Sequence, residues 1–320
     1  SFRAVTKYWD RINRPEQLLN TLPNMIQTLL DPADCGPVFL ALPQDVQVET
    51  FDFPDDFFNE VIHEIRRPKA DSNSISKAVE IIKASKKPLI IAGGGARYSR
   101  AHKELSDFAN KFGIAVVETV AGKSTLLASD PAWCGPVGVT GCDPANKLAE
   151  EADLIISVGC RLQDFTTGSW TLFKNPVHKV ISINTARFDA TKRNAVAIIG
   201  DAKESLIEIG SLLGSYKADS AWSNNRSSVR DEVLRNIQTR TSEKLDLPSY
   251  SQVVKLINEA SSNEDYVLTA AGGLPGELNN NWLTKSKDSF DCEYGYSCMG
   301  YEIAGAWGAA LAYESSGRSG

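Results

Sequence analysis

Short apolar runs alternate with amphipathic segments through the middle of the chain. The runs are PLIIAGG, IAVVET, LIISVG, KVISIN and AVAIIG, and segments with helical spacing such as ISKAVEIIKAS and AHKELSDFANKF lie between them. Continuous apolar runs of this length are typical of strands that are buried on both faces. Strands that alternate with helices form a parallel sheet with helices on both sides. The pattern therefore predicts a complete, doubly wound α/β domain over residues 70–215.

The segments on either side continue the pattern only in part. Before this domain, residues 15–30 have apolar side chains at helical spacing, and VFLALP is a short run typical of a buried strand. Residues 51–69 mix Pro, Asp and Phe without a steady period, which predicts a linker after a domain portion over residues 1–50.

After the central domain, residues 216–246 are polar around one tryptophan and predict a surface helix and a linker. Over residues 247–320 the segment SQVVKLINEA predicts a helix, YVLTAAGG a strand, and the last segment a loop and a helix. The chain begins at Ser1 and stops at SSGRSG directly after that helix. These ends indicate a fragment of a longer protein.

The composition and charge of the chain limit the kinds of molecule that it is expected to bind. The chain has 320 residues, of which 42% are hydrophobic, and a net charge of −6 with acidic and basic residues interspersed. This balance favours neither a nucleic acid nor an anionic membrane surface as a partner. The longest apolar runs are too short to span a bilayer. We therefore expect a cytoplasmic protein that binds small molecules.

Side chains that commonly carry chemistry are scarce and scattered. The six cysteines form no C-x-x-C pair and have no metal-ligand spacing, so we expect them to be reduced and mostly buried. The three histidines, His63, His102 and His178, lie in no catalytic or metal-binding motif. This scarcity favours a bound cofactor as the reactive group, with the protein supplying position and electrostatics.

A glycine turn, Gly93-Gly94-Gly95, follows the first strand of the central domain. A glycine loop at a helix N-terminus can hold a phosphate, so a dinucleotide site is one interpretation. The spacing differs from G-x-G-x-x-G, however, and Glu118 is only a loose candidate for the acidic residue that such a site needs. A plain tight turn is the alternative.

The run FDCEYGYSCMGYEIAGAWGAALAYE, residues 290–314, has the most distinctive pattern in the chain. A loop with Met299 between Cys298 and Gly300 opens into a helix rich in Gly and Ala. Small side chains let another backbone approach closely, and Met299 is a large apolar group at the start of the helix. The pattern fits a loop that holds a ligand, and it also fits a packed core helix.

This run resembles the start of the diphosphate-binding domain of thiamine diphosphate enzymes, whose loop and helix commonly read G-x-M-G-Y-G-L-P-A-A-I-G-A. Two further blocks, VTKYWDRINRPEQLL (residues 5–19) and GPVFLALPQDVQ (residues 36–47), resemble the end of the pyrimidine-binding domain of this family. The resemblance extends over the whole chain. Within the family, EYGYSCMGYEI most resembles the hydrolases that open the ring of a trihydroxycyclohexane-1,2-dione in myo-inositol breakdown.

The resemblance implies a domain order and a set of cofactor contacts. Residues 1–50 would end the pyrimidine domain, 70–215 would be the Rossmann-like central domain, and 247–320 would begin the diphosphate domain. The implied cofactors are thiamine diphosphate and Mg²⁺. Backbone N–H groups in the turn Gly272, Gly273 and Leu274 would bind the diphosphate. Met299 would support the bent cofactor, and the carbonyl of Ser297 would accept a hydrogen bond from its amino group.

The resemblance also implies parts that this sequence lacks. The magnesium-binding segment would follow Gly320, and the catalytic glutamate would lie upstream of Ser1 and act in the partner subunit. A homodimer or homotetramer is therefore implied, and this polypeptide alone would be inactive. Glu302 would lie near a cyclic dione substrate, or it would be an acidic residue that stabilises the helix N-terminus.

The implied reaction is hydrolytic carbon–carbon cleavage of the cyclic dione to 5-deoxy-glucuronate. One alternative is another thiamine diphosphate lyase or transferase, such as an acetolactate synthase-like enzyme. An alternative of another class is a non-catalytic nucleotide-binding module built on the central sheet.

Overall fold

The computed structural model describes residues 1–270, 272–293 and 295–316, and the chain forms two compact units, Ser1–Pro68 and Lys69–Gly320. The sequence motifs that include Ala271, Tyr294 and the end of SSGRSG lie partly outside the described residues. The division of Lys69–Gly320 into a central domain, a linker and a further domain stays a prediction.

The first unit contains one strand–helix–strand motif. Strand β1 (Tyr8–Arg11) pairs in parallel with β2 (Val38–Ala41), and helix α1 (Leu18–Leu30) connects them. Thr21 on α1 donates a hydrogen bond of 2.6 Å to Asp10 on β1, which joins the helix to the strand. Short 3₁₀ turns make up most of the other regular structure in this unit.

The second unit contains a six-stranded sheet, the large sheet, and a two-stranded sheet, the small sheet. All strand pairs in both sheets are parallel, and the strand order in the large sheet is β5-β4-β3-β6-β7-β8. The strands are β3 (Pro88–Ala92), β4 (Ala115–Glu118), β5 (Trp133–Pro136), β6 (Leu154–Val158), β7 (Lys179–Asn184), β8 (Val196–Ile199), β9 (Val267–Thr269) and β10 (Phe290–Cys292).

Helices lie between most of these strands. Most of the longer ones begin and end within two or three residues of the predicted amphipathic segments. The helices are α2 (Ser72–Ala84), α3 (Gly94–Tyr98), α4 (His102–Phe112), α5 (Asp143–Glu151), α6 (Asp164–Thr167), α7 (Arg187–Ala190), α8 (Ala202–Leu212), α9 (Ser220–Thr241), α10 (Tyr250–Ala260), α11 (Leu274–Asn281) and α12 (Tyr301–Ser315).

The main core lies on both faces of the large sheet. The two central strands, β3 and β6, are buried at every position, which is why their sequences are continuously apolar. Side chains of α2, α4, α5 and α8 complete the core. The predicted doubly wound α/β fold is confirmed.

Helix α9 is the segment that its composition predicts as a surface helix. It is 22 residues long and mostly polar, but one stripe of side chains is buried, including Trp222, Val233 and Ile237. The indole Nε1 of Trp222 donates a hydrogen bond of 2.9 Å to the carbonyl of Pro88, the first residue of β3. At its other end, α9 reaches the small sheet layer, where Arg240 donates to the buried Asn281 on α11 from Nε (3.2 Å) and Nη2 (3.1 Å).

The small sheet contains β9 and β10, flanked by α10, α11 and α12. Val267 pairs with Phe290, and Thr269 pairs with Cys292. The sequence predicts β9, α10 and α12, whereas β10 and α11 are additional. A three-residue strand, FDC, and an asparagine-rich helix, LPGELNNN, carry little apolar periodicity.

Four of the six cysteines are buried, two are exposed, and all six are free thiols. Among the described residues, no helix combines the length and hydropathy that a membrane span requires.

Candidate cofactor-binding site

The two predicted cofactor loops follow neighbouring strands of the small sheet. The turn 272–274 begins three residues after Thr269, the last residue of β9, and the segment 293–300 comes directly after β10. The backbone N–H of Glu293 donates to the carbonyl of Thr269 over 2.9 Å, which extends the pairing by one step. Because the strands are parallel, both loops leave the same edge of the sheet, where ligands bind in such folds. The structure therefore brings the predicted residues to one edge.

The first loop forms the N-terminus of α11. Gly272 has a φ of +90°, a backbone conformation that favours glycine. A Cβ atom added to Gly272 or Gly273 would meet no atom of the described residues within 4 Å. The carbonyl of Gly273 accepts hydrogen bonds from Gly276 (3.1 Å) and Glu277 (3.4 Å), and Leu274 begins the helix. The first N–H groups of a helix have no partner within it, so this end of α11 is suited to an anion.

A glutamate side chain shapes the second loop. Glu293 accepts backbone hydrogen bonds from Cys298 (2.8 Å) and Tyr296 (3.1 Å). These N–H groups hold the pKa of the Glu293 carboxyl below its ordinary value. Ser297, between them, has a φ of +52°, and Gly300 has a φ of +92°. The loop thus has a defined turn conformation in front of α12.

Met299 lies at the exposed end of this loop. Its side chain is 88% exposed, and α12 has no buried residue among those described. Helix α12 is therefore not packed into the core of the described residues, and the alternative of a packed core helix stays an interpretation. One small residue does allow close packing, because a Cβ atom on Gly305 would lie 2.9 Å from Cδ1 of Leu268 on β9. Met299 is accessible to a ligand, as its predicted role requires.

Glu302 lies in the first turn of α12. Its carboxylate accepts a hydrogen bond of 3.1 Å from the backbone N–H of Gly300, directly before the helix. This contact supports the interpretation as an acidic residue that stabilises the helix N-terminus. A contact of Glu302 with substrate stays a prediction.

Acidification should release the second loop. Because the pKa of Glu293 is depressed in the folded protein, its two hydrogen bonds are present above the ordinary glutamate pKa and are lost as the pH falls through the depressed value. We expect Glu293→Gln to raise the amide exchange rates of Tyr296 and Cys298 at neutral pH, toward those of the acidified wild type. Hydrogen exchange measures this, with the exposed Glu314→Gln as the control variant. Unchanged exchange in Glu293→Gln would contradict the role of the carboxylate.

A buried charged pair lies beside the small sheet, and the sequence did not predict it. Lys123, 2% exposed, donates from Nζ to Glu118 Oε1 (3.3 Å) and to the carbonyl of Asn279 on α11 (3.0 Å). Its ammonium group lies 5.8 Å from the ring centroid of Phe290 on β10. Lys123 therefore joins the loop after β4 to both α11 and β10.

The carboxylate of this pair is only partly satisfied. Within the part of the chain that the structure describes, the second oxygen, Oε2, is buried without a hydrogen-bond partner, as is Oδ1 of Asn279. Burial raises the pKa of Glu118, and the Lys123 charge and the Trp133 indole only partly oppose this effect. Glu118 is thus buried and bonded to Lys123, so it does not serve as the acidic residue of a dinucleotide site.

The glycine turn after β3 contacts the loop after β6. Gly93 N donates to the carbonyl of Val158 (2.9 Å), and Gly95 N donates to the carbonyl of Gly159 (2.8 Å). A Cβ atom on Gly93 would lie 2.4 Å from the oxygen of Gly159. These glycines allow two backbones to touch, and two of their N–H groups are already bonded to protein. The geometry favours the tight-turn interpretation over the dinucleotide site.

Within residues 1–270, 272–293 and 295–316, no group of three or more His, Cys, Asp or Glu side chains is placed to hold a metal ion. The magnesium-binding segment beyond Gly320 and the glutamate upstream of Ser1 stay predictions.

Similarity to known proteins agrees with this arrangement. Residues 75–209 match the family described as thiamine pyrophosphate enzyme, central domain. The chain is 43% identical to a 3D-(3,5/4)-trihydroxycyclohexane-1,2-dione hydrolase of Clostridium botulinum (strain Alaska E43 / Type E3), over 97% of the chain and 52% of the relative. It is 42% identical to proteins of the same name from Geobacillus thermodenitrificans (strain NG80-2) and Bacillus thuringiensis (strain Al Hakam), over 98% of the chain and 52% and 53% of the relatives.

The chain thus spans about half the length of these relatives. Its large sheet coincides with the matched central domain, and the similarity continues through both candidate loops. Residues 75–209 belong to the family of thiamine pyrophosphate enzyme central domains.

Proposed function

We propose that this chain is part of a thiamine diphosphate-dependent hydrolase that opens the ring of trihydroxycyclohexane-1,2-dione by carbon–carbon cleavage and yields 5-deoxy-glucuronate in myo-inositol breakdown. The names of the relatives support the substrate and the reaction. The proposal that the chain binds thiamine diphosphate rests on one observation: the turn 272–274 and Met299 follow neighbouring parallel strands.

The residues at this edge fit the cofactor. Open space beside Gly272 and Gly273 leaves room for phosphate oxygens near backbone N–H groups, with Leu274 at the start of the helix. The exposed thioether of Met299 offers a large, polarizable apolar surface for the rings. The carbonyl of Ser297 is the proposed acceptor for the amino group of the pyrimidine. When bound, thiamine diphosphate supplies a nucleophilic carbanion and an electron sink for carbon–carbon cleavage.

The remaining parts of the proposed enzyme lie outside this set of residues. We propose that Mg²⁺ and the catalytic glutamate come from segments beyond Gly320 and before Ser1. The glutamate would belong to the partner subunit of a homodimer or homotetramer. The exposure of Ile303, Trp307 and Leu311 on α12 supports further protein against this helix. The proposed location is the cytoplasm.

Met299→Ala in the complete gene product tests the proposed function. Because Met299 is almost fully exposed, its truncation should leave the melting temperature nearly unchanged. We expect the Kd for thiamine diphosphate to rise, and dione hydrolysis to fall by about tenfold to a hundredfold, since a small displacement of reacting groups has effects of this size. Calorimetric titration of the cofactor and an assay of ring opening measure these changes.

Val177→Ala is the matched control, because Val177 is 72% exposed and lies on a loop of the large sheet layer. Wild-type cofactor affinity in Met299→Ala would contradict the role of Met299. Turnover of pyruvate with release of carbon dioxide, instead of dione hydrolysis, would favour an acetolactate synthase-like enzyme. A melting temperature raised by NAD but not by thiamine diphosphate would favour a nucleotide-binding module.

A further inference from the structure

A cleft of about 580 Å³ lies at the amino ends of β7 and β8, two neighbouring strands at one side of the large sheet. Lys179 and Val180 begin β7, and Val196 begins β8. Dinucleotides bind such sheets beyond the carboxyl ends of the strands, where the glycine turn after β3 lies. The cleft is therefore at the opposite edge of the large sheet, and its volume suits a small molecule.

Much of the lining of this cleft is aliphatic or aromatic. Ile81 on α2 contributes aliphatic surface together with Val180 and Val196, and Trp170 contributes its indole. The indole also forms an edge contact with the ring of Phe173, with the two ring centroids 5.6 Å apart. Phe173 is buried, so this contact fixes the indole to the core. A flat or apolar part of a ligand would find a fixed surface here.

Two cationic side chains, Lys179 and Arg193, line the same cleft, and among the described residues no acidic side chain lines it. Cζ of Arg193 lies 5.1 Å from the ring centroid of Trp170, which holds the guanidinium group over the aromatic surface. Within the part of the chain that the structure describes, neither cation forms an ion pair. The cleft therefore carries positive charge beside an aromatic face.

Neighbouring lysines differ from these two cations because they have carboxylate partners. Lys174, on the loop before β7, pairs with Glu150 over 2.7 Å, and Lys192 pairs with Asp189 over 2.6 Å. The carboxylates of Glu150 and Asp189 thus do not compensate the charge of the cleft.

The backbone at the cleft has an uncommon conformation. Trp170, Arg193 and Asn194 all line the cleft, and their φ angles are +69°, +53° and +57°. This left-handed region is unfavourable for residues with a side chain, and least so for asparagine. Backbone strain that persists in a folded protein is concentrated at functional sites such as ligand clamps. The backbone therefore points to a ligand site independently of the charges.

We propose that this cleft binds an anionic small molecule in which a phosphate or carboxylate group is attached to an aromatic ring. The guanidinium group of Arg193 offers a planar set of N–H donors that matches the oxygens of such a group, and Lys179 adds a second positive charge. The indole of Trp170 and the aliphatic side chains would cover the ring. The proposal does not rest on the proposed function, because the cleft shares no residue with the candidate cofactor loops.

Titration of the complete gene product with phenyl phosphate and with benzoate, followed by ligand-observed NMR, tests the proposal. We expect saturable binding of at least one of the two anions with a Kd on the order of 1 mM or lower. The anion that binds more tightly identifies the charged group. Benzyl alcohol has the same ring without a charge, so it should bind at least about tenfold more weakly, the effect of losing a charge-assisted hydrogen bond.

Arg193→Gln should raise the Kd of the tighter anion by about tenfold to a hundredfold, because it removes the charged donors. Lys174→Gln is the matched control, since it removes the same charge from a nearby lysine that does not line the cleft. This control should keep the wild-type Kd. Arg193 and Lys179 are both exposed, so Lys179→Gln, with a smaller rise in Kd, replaces Arg193→Gln if that variant does not fold.

Three results would overturn the proposal. The first is a lack of saturable binding of both anions, and the second is binding of benzyl alcohol as tight as that of the anions. The third is a Kd that is the same in the wild type and in Arg193→Gln, or that rises equally in Arg193→Gln and Lys174→Gln, because the anion would then bind elsewhere or respond only to net charge. Each of these results is independent of whether thiamine diphosphate binds.

Discussion

Lys123→Met should lower the free energy of unfolding of the second unit by about 3 to 5 kcal/mol, the usual cost of removing one partner from a buried ion pair. Glu118 would have to carry an unpaired charge or take up a proton in an apolar site where, among the described residues, one of its oxygens already lacks a partner. The hydrogen bond to the Asn279 carbonyl and the contact with the Phe290 ring would be lost as well. Urea unfolding at neutral pH measures the change.

The loss should depend on pH. Burial raises the pKa of Glu118 above its unfolded value, so the folded state binds a proton more readily than the unfolded state. The decrease in the free energy of unfolding that Lys123→Met causes should therefore be smallest in acid and should grow from about pH 4 upward. A loss that is constant from acid to neutral pH would contradict this assignment of the buried charge.

Two further variants complete the experiment. Glu118→Gln combined with Lys123→Met should recover much of the lost stability, because no buried charge remains. Lys103→Met serves as the control, since Lys103 forms an exposed pair with Asp107 and its removal should cause little change.

Gly159→Ala should destabilise the protein by about 3 kcal/mol or more. Gly159 has a φ of +58°, which costs about 1 to 2 kcal/mol with a side chain present. A Cβ atom would also lie 2.4 Å from the backbone nitrogen of Ala96, and a collision with a backbone in a packed core adds about 1 to 3 kcal/mol. Thermal and urea unfolding measure the total.

Gly214→Ala separates the two contributions. Gly214 has nearly the same φ, +60°, but a Cβ atom there meets no described atom within 4 Å. This variant should lose only the conformational part, about 1 to 2 kcal/mol. Equal losses in both variants would show that the contact between the two loops has no steric cost.

The sequence predicted the elements whose burial is uniform. Strands β3 and β6 are buried on both faces, so PLIIA and LIISV read as strands without further information. The sequence did not predict strand β5, because WCGP contains a glycine and a proline, which favour a turn. The glycine, Gly135, has a φ of +90° in the structure. The burial of β5 results from packing against α9, a contact that no local pattern encodes.

The candidate site, too, was predicted from the sequence only in part. Gly272, Gly273, Leu274, Ser297 and Met299 were located by motif resemblance, and the structure adds the parallel strands that bring their loops to one edge. The buried and charged contacts beneath the loops join residues 156 and 186 positions apart in the chain, Lys123 with Asn279 and His102 with Asp288. Such pairs depend on the tertiary fold, so single-residue patterns cannot identify them.

Helix α9 connects the large sheet to the layer of the small sheet and is fixed by one side chain near each end. Trp222 and Arg240, its anchors at β3 and α11, are 18 residues apart, which is five full turns and roughly 27 Å in an α-helix. Both anchors therefore lie on the same side of the helix. A single inserted residue would rotate one anchor by about 100° relative to the other. The number of residues between Trp222 and Arg240 thus fixes the rotation of the α11 anchor relative to the β3 anchor, whatever residues occupy the solvent face of α9.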